Sequence, residues 1–409
     1  MRPSFYDPDS PDEQEVALPS ASRITLSSNT YLQPPLTRRG TGPGMIAFLP
    51  PPSVYKVNTE KTLDPEPVQK WAEEGFAVLG VTCGGGEGWS IEEVLTKGIE
   101  ALLSLKELDT RDKFALYVYE LDVLQEVLLQ IQEVKDSRLS CIVAVGDPES
   151  LQPELLPSIP MYIHIPPTAS HSRVVNIASH KFSKSPYFLL PQCADYAPGE
   201  ATLAHSRVLK FLRKILGGPN FDIEAIWEEH TYFEFEVRSV AKTMGTMVAE
   251  PYVNHVPTMT GGVGRKALNA FYRDHFIFAN PADTTMIPVS RTVGSDRIVD
   301  EFIFRLTHNR VVDWLLPGVP PTGRLLEIPM MGVINIRGDR LYHEHIWWDQ
   351  ATTLSQAGIL PSQVPYPTPE GPKKLRLPVS GVESARMLIN EMDGKSNEML
   401  KSSWGIQDA

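Results

Sequence analysis

From Leu341 to Gln350 the chain reads Leu-Tyr-His-Glu-His-Ile-Trp-Trp-Asp-Gln. Its aromatic and β-branched content makes it a strand. Side chains alternate faces along a strand, so His343, His345, Trp347 and Asp349 share one face. Two imidazoles, an indole and a carboxylate together suit a pocket wall better than a plain core. Such a wall supports proton-transfer chemistry or the binding of a polar ligand. A carboxylate in an apolar pocket is poorly hydrated, so its pKa rises and it becomes a better base near neutral pH. Asp349 supplies the carboxylate of this face and is a candidate for such chemistry. Each role competes with a plainer one: a strand-end aspartate is commonly a turn or cap residue, and a buried histidine is commonly just hydrogen-bonded. A metal held by His343 and His345 lacks a clear third ligand, so no metal is expected.

These residues need a scaffold. Upstream, a helix-compatible segment from Ile223 to about Met247 carries Trp227, Tyr232, Phe233 and Phe235, a stripe read as core. Further helical pieces contain Arg265 to His275. Strand-like runs follow at Ile298–His308, Val311–Leu316, Leu325–Ile336 and Leu341–Asp349, separated by Pro320–Gly323 and Arg337–Asp339 turns. Helices first and antiparallel strands after is an α+β pattern. Glu301 and Arg305 fall on one strand face and are expected to form an ion pair.

The first half has a different rhythm. Near-continuous apolar runs at Gly44–Leu49, Phe76–Val81, Phe114–Tyr119, Cys141–Val145, Met161–Ile165 and Tyr187–Leu190 alternate with amphipathic segments. That pattern predicts a parallel sheet covered on both faces. The expected division is a flexible arm over 1–40, an α/β domain over 41–218, an α+β domain over 222–361, and a tail over 362–409 that drapes and holds one helix at Val382–Met392.

With 409 residues, a net charge of −12 and a pI near 5.4, the chain argues against nucleic acid or an anionic membrane as its partner. Cys83, Cys141 and Cys193 are too few and too scattered for a disulfide framework or a zinc site. No apolar run is long enough to span a membrane and no signal-peptide pattern opens the chain, so a cytoplasmic protein is expected.

The 41–218 region resembles the dienelactone hydrolase family of α/β-hydrolase folds, in strand order, in Glu74–Leu79 and in the closing helix Thr202–Leu216. The resemblance implies a nucleophile elbow after Phe114–Tyr119, yet Tyr119-Glu120-Leu121-Asp122 stands there. It implies a histidine after Tyr187–Leu190, where the chain has Gln192-Cys193-Ala194-Asp195-Tyr196. The acid's place, Pro166 to His171, also lacks its residue. This domain is read as catalytically inactive, with Cys193 packed, His205 solvated or capping, and the Cys83–Gly88 run a loop without a nucleotide fingerprint.

The 222–361 region resembles SnoaL-like polyketide cyclases of the nuclear-transport-factor-2-like and ketosteroid-isomerase-like group. The matching segments are Tyr252–His255, Phe304–His308, Pro321–Arg324, Arg337–Leu341 and His345–Asp349. That resemblance implies a cone-shaped domain whose cavity performs cofactor-independent acid/base chemistry on a small hydrophobic carbonyl or lactone compound. The resemblance implies catalysis by Asp349 as general base or acid, with His308 and His345 orienting it or polarising a carbonyl, and substrate binding by His255, Tyr252, Trp347 and Arg305. A homodimer through this domain is a further expectation. The competing readings are a non-catalytic ligand-binding or scaffold protein and a surviving esterase of dienelactone hydrolase type.

Overall fold

The computed structural model describes all residues except 1–2, 55–61, 85–86, 148–150, 152, 156–157, 170–176, 183–184 and 409. The chain divides into two compact units. The first comprises Leu18–Asp222 with Arg337–Asp339, and the second Met1–Ala17, Ile223–Ile336 and Arg340–Ala409.

The first unit is built on strands β1 (Ile24–Thr25), β2 (Thr30–Gln33), β3 (Gly42–Leu49), β4 (Ala77–Thr82), β5 (Leu108–Val118), β6 (Leu139–Val145), β7 (Met161–Ile165) and β8 (Ile177–Lys181). Their spatial order is β1-β2-β4-β3-β5-β6-β7-β8, antiparallel up to the β2–β4 pair and parallel beyond it. The continuous apolar runs have a simple cause. Met45 and Ala47 enter one core and Ile46 and Phe48 the other, so both faces of β3 are dry. Helices α1 (Leu121–Val134) and α2 (Pro198–Leu216) follow β5 and close the unit, α2 ending at Gly217 in a left-handed conformation.

Two expectations for this unit need correction. Tyr187–Leu190 is no strand: a 3-10 turn, Pro186–Leu189, occupies it, because Pro186 cannot donate to a ladder and Ser185 caps the turn. Nor is 1–40 a single flexible arm, since Thr30–Gln33 pairs with β4.

The second unit holds a mixed sheet of β9 (Met247–His255), β10 (Thr260–Val263), β11 (Thr285–Val293), β12 (Arg297–Thr307), β13 (Leu325–Arg337) and β14 (Arg340–Trp348), in the order β10-β9-β14-β13-β12-β11. Helix α3 (Ile223–Tyr232) packs on β12 and β14. The expected long helix to Met247 is interrupted. A π turn, Phe233–Val237, follows α3, Arg238 takes a left-handed φ of 56°, and α4 (Val240–Gly245) starts afresh behind a Ser239 cap. Helix α5 (Arg265–Phe271) packs on β9 and β10 and likewise runs into a π turn, Tyr272–Phe276. Val311–Leu316 is a loop rather than a strand, with Val312, Trp314, Leu315 and Leu316 buried and Val311 exposed.

The N-terminal residues are tied to this unit. Glu13 accepts hydrogen bonds from Val240 N and Ala241 N, both 2.9 Å, and so caps α4 together with Ser239. The tail does more than drape: β15 (Gln363–Thr368), β16 (Gly371–Arg376) and β17 (Gly405–Asp408) form their own antiparallel sheet. Its helix is shorter than expected, Glu383–Ile389. No helix among the described residues is long and apolar enough to cross a membrane.

Candidate active site

Which face of β14 points inward is decided by register. Glu344 and Ile346 line a cavity inside the second unit, while Trp347 is 45% exposed on the opposite face. The shared face inferred for His343, His345 and Trp347 is therefore the outer one. There Tyr252, paired with His343 across the β9–β14 ladder, stacks on His343 and places its hydroxyl 3.0 Å from His345 Nε2. The two imidazoles stack on each other with centroids 4.4 Å apart. Burial, followed by the Arg297 charge, lowers the His345 pKa.

Asp349 is exposed and lies beyond the strand. Its carboxylate caps α6 (Gln350–Gln356), accepting from Ala351 N at 3.1 Å, Thr352 N at 3.2 Å and Thr352 Oγ1 at 2.6 Å. A carboxylate committed to a cap and open to water is not the desolvated base foreseen for this position. His308 is buried, but at the Thr322 turn: Thr322 N donates to its Nδ1 at 3.3 Å. Arg305 pairs across the ladder with Glu327 at 3.3 Å instead of with Glu301, whose partner is Ser290. Of the assigned residues, only His255 lines the cavity. Burial lowers its pKa to about 3, so it is a neutral, aromatic-packed wall residue whose Nδ1 lies 3.2 Å from Thr260 Oγ1.

The cavity measures about 30 Å³, with walls that include Trp227, Phe235, Phe276, Phe304 and Trp314. That is room for about one or two waters. Two carboxylates also face it, Glu234 and Glu344. Both reach a histidine absent from the expected set. His230 Nε2 lies 3.1 Å from Glu234 Oε1 and 3.0 Å from Glu344 Oε1. Tyr272 closes the group, its hydroxyl 3.3 Å from His230 Nε2 and 3.3 Å from Glu344 Oε1. On the other side of the ring, His230 Nδ1 lies 2.6 Å from Thr246 Oγ1. All four titratable residues are buried.

Their positions follow from local structure. Trp227, His230 and Glu234 are spaced i, i+3 and i+7, one helical face turned to the sheet. Glu234 and Tyr272 each sit in one of the two π turns, irregularities that recur at functional sites. Glu344 comes from the inward face of β14.

Burial opposes the charge on His230, but Glu234 and Glu344 outweigh it and raise its pKa to about 10. The ring is an imidazolium at neutral pH. Burial, and after it the Glu344 charge, raises the Glu234 pKa against the pull of His230. Burial and the two glutamates keep the Tyr272 hydroxyl protonated. The site thus stores protons beside an apolar cavity. The donor atoms of His230, Glu234 and Glu344 lie within 4.8 Å of one another, a spacing that a metal ion could also use.

A sequence signal for this cluster existed. His230 and Glu234, four apart on a helix of otherwise core-forming aromatics, are polar residues on a buried face. Glu344 stands between His343 and His345, on the opposite face of the strand.

No family model and no curated protein matches the chain. Solved structures do match part of it. A protein with a ketosteroid isomerase-like fold from Catenulispora acidiphila, solved with trimethylamine, is 12% identical; the match covers 33% of this chain and 93% of that one, with a TM-score of 0.27. A SnoaL-like polyketide cyclase from Jannaschia sp. CCS1 is 16% identical, covering 35% and 99%, with a TM-score of 0.28. An NTF2-like protein from Burkholderia thailandensis is 14% identical, covering 34% and 96%, with a TM-score of 0.26.

Proposed function

We propose that the second unit is a SnoaL-like domain performing acid/base chemistry on a small carbonyl compound, with His230, Glu234, Glu344 and Tyr272 as its working groups. One observation carries this reading: a single imidazole held between two buried carboxylates at the wall of an apolar cavity. In that setting a carboxylate facing the cavity can take a proton next to a carbonyl, while the tyrosine hydroxyl and the protonated partners supply hydrogen bonds to the enolate oxygen. The same groups return the proton at another carbon, which is an isomerisation or a ring closure.

The test is proton exchange in deuterium oxide. Small ketones and enones are incubated with the protein and their α-positions followed by NMR. Exchange above the buffer rate, lost in Glu234→Gln and Glu344→Gln, supports the proposal. Exchange that appears only with an added divalent metal ion would replace it by metal-assisted chemistry.

A non-catalytic binding role is the second reading, and the small cavity volume favours it. No exchange with any probe, together with ligand-dependent thermal stabilisation, would establish it. A homodimer through the outer sheet face belongs to the same proposal, supported by the exposed Met331 and Trp347 on that face. Light scattering of wild type against Trp347→Glu tests it.

For the first unit we propose an inactive hydrolase-like domain. The strand order supports this reading, as does the residue at the elbow position, Glu120, which caps α1. Cys193 is buried, its thiol donates to Val54 O at 3.6 Å, and burial pushes its pKa up to about 11. Such a thiol is a poor nucleophile. Ester turnover by this unit would overturn the proposal.

A further inference from the structure

The acid/base reading leaves open which nitrogen of His230 surrenders the proton, and the hydrogen bonds behind the ring answer it. Thr246 Oγ1 lies 2.6 Å from Nδ1 and 2.7 Å from the carbonyl oxygen of Thr243. A hydroxyl has one hydrogen and can accept more than one bond. The Thr243 carbonyl can only accept, so the Thr246 hydrogen goes to it, and the Thr246 oxygen is left to accept from Nδ1–H. The next link is closed in the same way: Thr243 Oγ1 donates to Ser239 O at 2.7 Å, so this hydroxyl does not compete for the ring.

We propose that Thr246 is a positioning residue that keeps a proton on Nδ1 of His230 and so makes Nε2 the nitrogen that gains and loses one. This inference rests on the acid/base reading of the cluster. The groups facing Nε2 are Glu234 from the π turn after α3, Glu344 from β14 and Tyr272 from the π turn after α5. The two carboxylates line the cavity. With Nδ1–H fixed, the charged ring presents an N–H to the Glu234 and Glu344 carboxylates, and the neutral ring presents a lone pair that accepts from the Tyr272 hydroxyl or from Glu234 once that carboxyl is protonated. Proton exchange is thereby confined to the reactive side. Without the threonine acceptor, Nδ1–H would be a buried donor with no bond. The neutral ring would then switch to the Nε2–H tautomer, which cannot accept a proton from the cavity. Trp227, stacked on His230 at 5.8 Å and 17°, holds the ring plane but offers Nδ1 no bond.

The experiment uses the full-length protein with nitrogen-15-labelled histidine, the His230 signals being assigned by their loss in His230→Gln. Ring-nitrogen shifts are followed from pH 6 to 11 in wild type, Thr246→Ser and Thr246→Val. The expected wild-type result is a protonated Nδ1 throughout and an Nε2 that titrates. Thr246→Ser, which keeps the hydroxyl, should match it. Thr246→Val should show the Nε2–H tautomer in its neutral form, with its titration moved down by about one to two pH units. A wild-type neutral ring protonated on Nε2 overturns the inference even if the valine variant does not fold. So does a valine variant that keeps Nδ1–H.

The α-proton exchange assay separates this inference from the function it rests on. If the ring behaves as stated but wild type exchanges nothing, the acid/base function falls and the tautomer assignment stands. If Thr246→Val switches tautomer yet exchanges at the wild-type rate across pH, the positioning role is overturned while the function survives.

Discussion

His230 Nε2 and Glu344 Oε1 meet at 3.0 Å inside the second unit, one carried by helix α3 and the other by strand β14. Glu234 completes a second pair on the same nitrogen at 3.1 Å. One imidazolium therefore faces two carboxylates where there is almost no water to screen them, which makes each member dependent on the others.

The first consequence is energetic. Glu344→Ala leaves a buried imidazolium with one carboxylate partner instead of two and removes one acceptor of the Tyr272 hydroxyl, a loss of about 3–5 kcal/mol. Glu344→Gln keeps a polar group in place and should cost less. Urea unfolding of the two variants against wild type gives the values, and equal stabilities would contradict the geometry.

Stability should also depend on pH through His230. Its folded pKa, about 10, lies above the ordinary histidine value. A raised pKa means that the folded state holds the proton more tightly. The stabilisation is complete below about pH 6.5 and is lost as pH rises towards 10, at up to about 1.4 kcal/mol per pH unit. Glu234, also raised, contributes with the same sign. His230→Gln should flatten the alkaline slope seen by chemical denaturation between pH 7 and 10.

Asp349→Ala gives the opposite kind of result. It removes a helix cap and should cost about 1 kcal/mol with no effect on α-proton exchange. A large loss of exchange with unchanged stability would return Asp349 to the active site.

In the first unit, His164 is fully buried on β7 and neither ring nitrogen has a hydrogen-bond partner among the described residues. Burial, followed by the His180 and Arg207 charges, lowers its pKa to about 3. A histidine depressed in the folded state contributes stability that is present above its unfolded pKa, near 6.5, and is lost as pH falls towards 3. His164→Leu should therefore unfold at lower pH than wild type in an acid titration followed by near-ultraviolet circular dichroism.

Much of the architecture was legible in the residues because it depends on local pattern. Near-continuous apolar runs mark strands buried on both faces, as at β3 to β7, and Gly217 marks the end of α2. Long alternating runs mark β12 to β14. Where prolines and π turns intervene, the pattern misleads: Pro186 ends a strand reading, and the turn at Phe233 breaks a helix whose apolar stripe continues through it.

The site divides along the same line. Period-two alternation places His343, His345 and Trp347 on one face of β14, but it does not say which face is inward. That depends on the pairing of β14 with β9 and on the packing of α3, both long-range. The outcome put those residues on the outer face, left Asp349 as a helix cap, and turned Glu344 inward towards His230 and Glu234. Sequence alone determined which residues travel together on a strand or a helix, because that is set by backbone geometry. Only the tertiary structure decided which of them meet, because contact between α3 and β14 depends on how the intervening chain folds.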